Sequence, residues 1–477
     1  MNKDLSIDKY GEFSLSVMET IDQALQAEIC LSERKLIVLD DDPTGIQTVF
    51  GVSVYTDWDL ESIRSGFLED EKTFFILTNS RACSEPEALK IYRTIGERVL
   101  EVSRETGIGF LIICRGDSTL RGHFPLETEV IREVMKEHGI DVDGEILCPF
   151  FDDGGRYTID DVHYVRDGEA LVPVGKTEFA SDRTFHFSSS NLKEYIEEKT
   201  GGRYKAEDVM GISLAETRAV DFAGIENKMM TLEKFGKMVV NAVNLYDVKV
   251  FCVALYRALR AGKVFLFRTA APFINGISGI PKAPLLEAKD FGEGREKRGG
   301  IIVVGSHTAK TTRQLEMLDG LNGIIPVEMN SDLVLTDGLE EEVRRIAEDC
   351  SRLIGQGMTP VVYTKRKLLD VPSADREQSL SWAVKISDGV QKTVADLTVE
   401  PGFVIAKGGI TSSDIGTKAL KVKRAYVMGQ IEPGVPVWRL GHESRFPDIP
   451  YVIFPGNVGD EMSLRRAVHK LLQTADL

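Results

Sequence analysis

Residues 110–122 read Phe-Leu-Ile-Ile-Cys-Arg-Gly-Asp-Ser-Thr-Leu-Arg-Gly, a short apolar run that ends abruptly in glycines and charged side chains. A run of this length bounded by turn residues is typical of a strand buried on both faces. Strands of that kind belong to parallel sheets that helices cover on each side. The charged residues that follow are therefore predicted to form a loop at the carboxyl end of a buried parallel strand.

The same pattern recurs on both sides of this stretch. Short apolar runs predict three more strands before it (Lys35–Leu39, Val49–Tyr55 and Thr73–Leu77). Helical periodicity occurs before, between and after the strands (residues 12–33, Pro86–Val102 and Glu127–Glu137). This alternation predicts the α/β fold class with an open, mostly parallel sheet. Ligands of such sheets bind beyond the carboxyl ends of the strands, so the residues that directly follow each apolar run are the candidates for function.

The length of 477 residues predicts at least two domains. Pro281–Gly300 holds two prolines and four glycines and has little apolar content after Leu286, which is typical of a linker. A new α/β series starts at Ile301. The sequence therefore predicts an N-terminal domain over residues 1–286, a linker at 287–298 and a C-terminal domain over 299–477. Each domain is predicted to be an open, mostly parallel sheet flanked by helices.

The composition excludes several classes of partner. The chain carries 58 Lys and Arg against 74 Asp and Glu, a net charge of −16, whereas binding along a nucleic-acid backbone relies on clustered basic residues. No apolar run approaches the roughly 20 residues that span a bilayer, and the N-terminus lacks the apolar core of a signal peptide. We expect a cytoplasmic protein without nucleic-acid or membrane partners and without a zinc site. The sequence leaves the oligomeric state open, a homo-oligomer included.

Three strands of the C-terminal half run into turns of small residues that precede helices. The turns are Gly305–Thr308, Lys407–Ser413 and Pro455–Asp460. Glycines allow backbone N–H groups to converge on an anion, and a helix N-terminus adds a positive dipole there. Lys407 could neutralise a phosphate charge. One such turn is weak evidence, but three in one domain indicate a nucleotide, although neither a Walker A motif nor a GxGxxG motif follows a strand.

Acidic and basic residues cluster after three strands of the N-terminal half. The first strand ends in Asp40-Asp41-Asp42-Pro43-Thr44-Gly45, where adjacent carboxylates repel one another and require a cation, a metal or helix N–H groups to offset them. The strand at Thr73–Leu77 is followed by Thr78-Asn79-Ser80-Arg81. Residues 110–114 are followed by Arg115–Gly122, whose arginines could clamp a carboxylate or phosphate bidentately. Helix capping, loop hydrogen bonds and surface ion pairs are the structural alternatives for these clusters.

Taken together, these clusters predict a small polyhydroxy acid bound in one domain and a nucleotide bound in the other. Such a division suits phosphoryl transfer. An aspartate can accept the proton of a substrate hydroxyl while Mg²⁺ and basic groups neutralise the developing charge, and domain closure excludes water.

The motifs resemble those of the four-carbon acid sugar kinases, which use ATP to phosphorylate tetronates such as threonate, erythronate or their 3-oxo forms. The resemblance covers most of the chain from about residue 35, and Asp117–Gly122 matches the most specific motif of that family. The motifs that carry it are Asp41–Gly45, Asp117–Gly122, Gly155–Thr158, His163–Val165, Gly305-Ser306, Gly408–Ser412 and Gly456–Gly459.

The resemblance implies a kinase that binds the acid in its N-terminal domain and ATP, with Mg²⁺, in its C-terminal domain. The implied substrate contacts are Asn79, Arg81, Arg115, Ser118, Thr119, Arg121 and Arg156. The implied nucleotide contacts are Ser306, Lys407, Gly408, Gly409, Thr411, Ser412, Gly456, Asn457 and Gly459. The catalytic base is predicted to be Asp41, Asp42 or Asp117, with Asp42 favoured because it lies where the strand gives way to the turn. The metal ligands are left unassigned.

Three positions depart from the family pattern. Arg115 stands where a lysine is common, His123 where asparagine is usual, and Ile410 where a polar or acidic residue is common. His123 is expected in a loop or partly buried in preference to a substrate contact. Two other functions stay open: a regulator that binds both ligands without chemistry, and a nicotinamide-dependent oxidoreductase, which the missing GxGxxG disfavours. The aspartates and the three glycine turns favour the kinase.

Overall fold

The structure, a computed structural model, describes residues 7–42, 45, 46, 48–282, 284–292, 298–366 and 376–473. Pro43 and Thr44 of the aspartate motif, and residues 293–297 of the predicted linker, lie outside the described residues. The chain divides into two compact units. The first unit runs to Val49 and continues over Asp57–Lys282, and the second contains Phe50–Thr56 and the chain beyond Lys282.

Strands and helices alternate along both units. The strands are β1 (Lys35–Asp40), β2 (Ser53–Tyr55), β3 (Thr73–Leu77), β4 (Phe110–Arg115), β5 (Gly144–Cys148), β6 (Arg156–Ile159), β7 (Val162–Asp167), β8 (Ala170–Pro173), β9 (Met210–Ile212), β10 (Gly236–Val240), β11 (Phe265–Thr269), β12 (Ile301–Val304), β13 (Ile324–Met329), β14 (Thr359–Thr364), β15 (Val404–Lys407), β16 (Arg424–Glu432), β17 (Val435–Leu440) and β18 (Pro450–Phe454). The α-helices are α1 (Leu15–Leu31), α2 (Leu60–Leu68), α3 (Glu85–Thr106), α4 (Leu126–Glu137), α5 (Leu192–Lys199), α6 (Leu214–Arg218), α7 (Phe222–Met230), α8 (Leu245–Arg260), α9 (Ala271–Ser278), α10 (Ala309–Glu316), α11 (Leu339–Gly355), α12 (Arg376–Ala395), α13 (Gly409–Asp414) and α14 (Ser463–Leu472).

A parallel sheet with the strand order β3-β1-β4-β11-β5-β10-β9 organises the first unit. Every residue of β1 is buried, as the continuous apolar run predicts. The chain passes from β1 to β3 on one side and then returns to β4 on the other, so β1 lies at a topological switch point. Asp40 is in register with Leu77 and Arg115, which brings the ends of the three strands level.

Residues 149–209, between β5 and β9, form an insertion that contains the antiparallel sheet β6-β7-β8 and helix α5. We call these residues the β6–β8 insertion. Its apolar side chains pack against the loop that follows β4, in one buried cluster that includes Leu120, Phe124, Phe187, Leu192 and Tyr195. The insertion therefore supports the loop that carries Asp117.

The sheet of the second unit has the strand order β13-β14-β12-β15-β18-β17-β16-β2. The strands from β13 to β18 in this order are parallel, and the pairs β18-β17, β17-β16 and β16-β2 are antiparallel. The chain leaves β12 for β13 and β14 on one side and returns to β15 on the other. The loops that follow β12, β15 and β18, three neighbouring strands, therefore lie side by side at the switch point.

The predicted α/β class, with mostly parallel sheets flanked by helices, is confirmed. The helix expected over residues 12–33 spans Leu15–Leu31. Helix α3 begins where the carboxylate of Glu87 accepts a hydrogen bond of 2.8 Å from the N–H of Ser84, and it ends at Gly107 with φ of 73°. None of the described helices combines the length and the apolar content needed to cross a bilayer.

Three features differ from the expected organisation. The predicted N-terminal domain, residues 1–286, includes residues 50–56, but these belong to the second unit because β2 pairs antiparallel with β16. The chain also passes from the first unit to the second after Lys282, which is before the predicted linker at 287–298. The second glycine turn was predicted over Lys407–Ser413, with its helix beginning after Ser413. In the structure the helix begins at Gly409, so most of the predicted turn is the first part of α13. This helix continues as a π-helix over Ile415–Ala419.

Candidate active site

Arg81 joins the three aspartates that the sequence offers as catalytic residues. Its Nη2 lies 2.7 Å from Asp41 Oδ1, and its Nε donates to Asp41 Oδ2 at 3.2 Å. Its Nη1 lies 3.5 Å from Asp42 Oδ2 and 4.0 Å from Asp117 Oδ2. Burial lowers the pKa of Arg81, but the three carboxylates outweigh this effect and raise it well above the usual value. The cation that the clustered aspartates require is therefore an arginine of the chain itself.

Asp117 is held firmly in its ionised form. Its Oδ2 accepts hydrogen bonds from Arg121 Nε at 2.6 Å and from the Thr119 hydroxyl at 2.7 Å, and its Oδ1 accepts the Thr119 N–H at 3.0 Å. Burial raises the pKa of Asp117, but Arg81, Arg121 and the Thr119 hydrogen bonds bring it well below the usual range. The predicted substrate contacts Thr119 and Arg121 thus bind Asp117 in this structure.

Asp40 and Arg115 form a buried ion pair beneath the aspartate loop, with Arg115 Nη1 3.0 Å from Asp40 Oδ1. Burial raises the pKa of Asp40 to about 7, although Arg115 opposes the shift. A Cβ atom on Gly45 would lie 2.2 Å from both carboxylate oxygens of Asp40, so this turn requires glycine. Arg115, a predicted substrate contact, is only 6% exposed and packs behind the loop.

Asn79 and Ser118 shape the backbone of the site. Asn79 has φ of 51°, a left-handed conformation that asparagine tolerates, and it begins the short 3₁₀ turn Ser80–Ala82 that carries Arg81. Ser118 is buried, and its carbonyl accepts a hydrogen bond from His163 Nε2 at 2.7 Å.

The β6–β8 insertion fixes the loop after β4 through backbone carbonyls. Besides the bond from His163 to Ser118, the Tyr195 hydroxyl donates to the Leu120 carbonyl at 2.9 Å. His163 is fully buried, its Nδ1 lies 2.9 Å from the Thr158 hydroxyl, and burial lowers its pKa to about 4. His123 is buried as well: its Nε2 donates to the Ser80 carbonyl at 3.0 Å, which gives it a supporting position.

Arg268 in β11 is a site-shaping residue that the sequence did not reveal. Its Nε lies 3.1 Å from Glu127, and its Nη2 donates to the Arg121 carbonyl at 3.0 Å. A Cβ on Gly116 would lie 1.2 Å from Nη1 of this arginine, and one on Gly122 would lie 2.6 Å from Nη2. The two glycines of the Asp117 loop therefore leave space for Arg268.

Arg156, the first residue of β6, lies beside Arg121 on the same aromatic ring. The guanidinium carbons of Arg121 and Arg156 lie 5.1 Å and 5.6 Å from the ring centroid of Phe179. Arg121 also lies 3.8 Å from Asp182 of the insertion. The insertion thus brings one predicted substrate contact, Arg156, next to those that follow β4.

The three glycine turns of the second unit meet around Ser306 and Thr411. A Cβ on Gly305 would lie 2.1 Å from Thr411 Oγ1, and a Cβ on Gly456 would lie 2.7 Å from Ser306 Oγ. Gly408 has φ of 125°, and a Cβ there would lie 3.2 Å from the same Thr411 oxygen. Because side chains would fill this space, the glycines create a cradle of backbone groups at the ends of β12, β15 and β18.

Two predicted nucleotide contacts are turned into the protein. Lys407 is fully buried against Phe454, its Nζ donates to the Pro455 carbonyl at 3.1 Å, and burial, with Lys310 nearby, lowers its pKa to about 7. The Ser412 hydroxyl lies 2.8 Å from the carbonyls of Ala406 and Gly408. In this structure both side chains hold the second turn in shape.

Residues around the third turn include two that the sequence did not single out. Lys310 of α10 is exposed, and its Nζ donates to the Asn457 carbonyl at 3.1 Å. Gln314 donates to the carbonyls of Val458 and Asp460 at 3.1 Å and 2.6 Å. Gly459 has φ of 83°, and nothing lies within 4 Å of a Cβ built on Gly409, where α13 begins. The position of Lys310 in the first turn of a helix after a glycine turn is a signal that sequence reading could have used.

The chemistry of the two clusters is complementary. The first unit offers carboxylates that can accept a hydroxyl proton and guanidinium groups that can bind an acid. The second unit offers a glycine cradle of the kind that binds phosphate. Among the residues that the structure describes, no group of three or more His, Cys, Asp or Glu side chains is placed to hold a metal ion.

Comparison with known proteins gives a separate match for each half of the chain. The model of a sugar-binding N-terminal domain matches residues 36–277, and that of a nucleotide-binding C-terminal domain matches residues 301–464. A D-threonate kinase of Salmonella typhimurium strain LT2 is 22% identical over 376 residues, which are 76% of this chain and 81% of the kinase.

Two solved structures share the fold. A Haemophilus influenzae protein superposes with a TM-score of 0.59 at 16% identity over 91% of this chain and 99% of its own. A Salmonella typhimurium LT2 protein superposes with a TM-score of 0.65 at 17% identity over 91% of this chain and 98% of its own. Since the two domain models together match most of the chain, in the order in which its motifs occur, the protein belongs to the four-carbon acid sugar kinase family as a divergent member.

Proposed function

We propose that this protein transfers the terminal phosphoryl group of ATP to a hydroxyl of a small, tetronate-like sugar acid. The first unit binds the acid, and the second unit binds the nucleotide. The observation that carries the proposal is the meeting of Asp41, Asp42 and Asp117 around Arg81 at a topological switch point. The similarity to a D-threonate kinase and the match to a nucleotide-binding domain support it.

Asp42 is the proposed general base. Asp41 is 1% exposed and engages Arg81 through both of its carboxylate oxygens, and the Asp117 carboxylate is occupied by Arg121 and Thr119. Asp42 retains 28% exposure and lies 3.5 Å from Arg81, so a ligand can reach it beside a cation. A base must come within hydrogen-bond reach of the hydroxyl whose proton it accepts, which favours the accessible carboxylate.

The glycine cradle is the proposed phosphate site. Gly305, Gly408 and Gly456 allow backbone N–H groups to approach the phosphates, and Ser306 and Thr411 add hydroxyl donors. Lys310 is an exposed cation at the start of the helix that follows the first glycine turn. Its Nζ donates a hydrogen bond to the Asn457 carbonyl of the third turn. Mg²⁺, when bound with ATP, would neutralise phosphate charge with phosphate and water oxygens as most of its ligands.

The test is an assay of ADP release with Mg-ATP against a panel of three- to six-carbon aldonic and oxo-acids. Asp42→Asn is expected to lower kcat by about 10²- to 10⁴-fold on the accepted acid, the usual contribution of a general base. Asp208→Asn, at an exposed position in the 3₁₀ turn Ala206–Asp208, is the matched control and should retain full activity.

The outcomes separate the alternatives. Turnover on one acid that is lost in Asp42→Asn supports the kinase. If no acid is turned over while ATP still raises the melting temperature, the protein is a nucleotide-binding regulator and the kinase proposal fails. Equal kcat in Asp42→Asn and the parent would move the base to another residue.

A further inference from the structure

The arginines around the Asp117 loop differ in whether a carboxylate of the chain neutralises them. Most are paired, and the partners show that the protein balances its buried positive charges. The paired arginines are Arg81 with Asp41, Arg115 with Asp40, Arg121 with Asp117 and Arg268 with Glu127. Arg156 is the exception.

Arg156 is a half-buried cation that forms no ion pair with a described carboxylate. Its Nη1 donates to the Gly154 carbonyl, and its Nε is buried without a partner among the residues that the structure describes. No described carboxylate forms an ion pair with it. Burial lowers the pKa of Arg156, the negative charge of Asp117 opposes this shift, and the neighbouring Arg121 adds a smaller lowering. The charge of Arg156 is therefore influenced by Asp117, but no described carboxylate is directly paired with it.

The surroundings of Arg156 hold the guanidinium in place without using all of its donors. Its planar guanidinium lies over the aromatic ring of Phe179, and the guanidinium of Arg121 contacts the same ring. A Cβ on residue 154 would lie 2.7 Å from Arg156 Nη1, so the absence of a side chain at Gly154 leaves room for the guanidinium. A guanidinium fixed in this way presents its remaining N–H groups as a fork that matches the two oxygens of a carboxylate.

We propose that Arg156 binds the carboxylate of the substrate, and that this residue makes the enzyme select acids over neutral polyols. The inference rests on the proposed kinase function. Under this proposal the two ends of the substrate bind to groups of opposite charge. Arg156 on the β6–β8 insertion binds the acid group, and Asp42, in the loop after β1, faces the hydroxyl that is phosphorylated. The charge of Arg121 is already neutralised by Asp117 and Asp182, so Arg121 acts in support.

The test compares an accepted aldonic acid with its neutral amide in Arg156→Gln and Arg156→Lys. For the acid, Arg156→Gln is expected to raise KM by about 10- to 100-fold, as expected when a charge-assisted pair is lost. For the amide, KM should change little, so the preference for the acid falls. Arg156→Lys keeps the charge but loses the planar fork, and it should give an intermediate KM.

Arg166→Gln is the matched control. Arg166 belongs to the same small sheet and also stacks on an aromatic ring, 5.1 Å from the centroid of Tyr157, but it is exposed. We expect its KM for the acid to equal that of the parent.

The result that overturns the proposal is an unchanged preference for the acid over the amide in Arg156→Gln, with the parent active. A second readout separates this failure from that of the kinase. If the parent is stabilised by the acid but turns nothing over, and Arg156→Gln loses that stabilisation, the carboxylate site stands and the kinase fails. If neither turnover nor stabilisation by any acid is seen in the parent, both fail. Should Arg156→Gln not fold, the KM of Arg156→Lys decides, and a value equal to the parent's overturns the proposal.

Discussion

At the scale of single residues, His163 links the shape of the Asp117 loop to pH. Its ring is fully buried and bonded to the Ser118 carbonyl, and burial lowers its pKa to about 4 from a usual value near 6.5. The unfolded chain therefore binds this proton at a higher pH than the folded protein does. Stability from this group is fully present above pH 6.5 and is lost as pH falls from 6.5 towards 4, by about 3 kcal/mol in total.

We predict that the free energy of unfolding of His163→Gln depends less on pH in this range than that of the parent. The free energy of unfolding of the parent minus that of His163→Gln should fall by about 3 kcal/mol from pH 7 to pH 4. Urea unfolding at each pH measures it. His442→Gln, at a histidine that is 92% exposed, serves as the control. A difference that stays constant with pH would show that His163 does not titrate in this way.

The residues of the site were predictable where they follow a strand. Asp41, Arg81 and Asp117 lie in the loops that follow β1, β3 and β4, and the register of those strands brings these loops together. Arg268 and Glu127 were not predictable because one lies within a strand and the other in the first turn of a helix, where a charged residue is ordinary. Phe179 lies in the short 3₁₀ turn Glu178–Ser181 of the insertion and Asp182 follows it, and only the three-dimensional path of this segment places them beside Arg121.

At the scale of elements, the turn after β12 depends on the absence of a side chain at Gly305. An added Cβ would lie 2.1 Å from the oxygen of Thr411 and 3.2 Å from its Cβ, and the short, branched side chain of threonine has little freedom to move away. We predict that Gly305→Ala weakens ATP binding at least tenfold, or by about 1.4 kcal/mol, in a calorimetric titration.

The control for this substitution is Gly355→Ala, at the last residue of α11, where no atom lies within 4 Å of an added Cβ. It should leave the dissociation constant for ATP at the parent value. Equal ATP affinity in Gly305→Ala and the parent would exclude the turn after β12 from the nucleotide site.

Elements with a strong pattern were predicted well. The strand expected at Thr73–Leu77 has those bounds, and those expected at Lys35–Leu39 and Phe110–Cys114 are each one residue longer in the structure. The start of α13 was missed because Gly408 and Gly409 indicate a turn, whereas only Gly408 has the positive φ of one. The strand expected at Val49–Tyr55 is shorter in the structure, Ser53–Tyr55, and its pairing could not be read from the sequence because so short a strand does not identify its partner.

At the scale of the whole molecule, the chain enters the second unit, leaves it and returns. Residues 50–56 supply β2, which pairs with β16 through Val54 and Ala425, and Val54 is fully buried. A fragment of residues 283–477 lacks β2 and therefore exposes the hydrogen-bonding edge of β16. We predict that this fragment alone aggregates or melts well below the intact protein, because an exposed edge strand is prone to pair with other chains.

Co-expression of residues 1–282, which contain β2, is expected to recover a soluble complex that co-purifies with the fragment. Val54→Asp in the longer fragment should abolish this recovery, since a carboxylate would replace a buried apolar side chain. If residues 283–477 fold alone with the thermal stability of the intact protein, β2 is dispensable.

The position of β2 also has a consequence for how the protein is made. Ser53 accepts a hydrogen bond from Arg424, which lies 371 residues further along the chain. At a synthesis rate of about 5–20 residues per second, the ribosome takes about 20 to 70 s to pass from one to the other. Throughout this interval β2 is an apolar segment that lacks β16, and exposed segments of this kind are bound by chaperones. The second unit can therefore close its sheet only after β16 has been synthesised, however early the first unit folds.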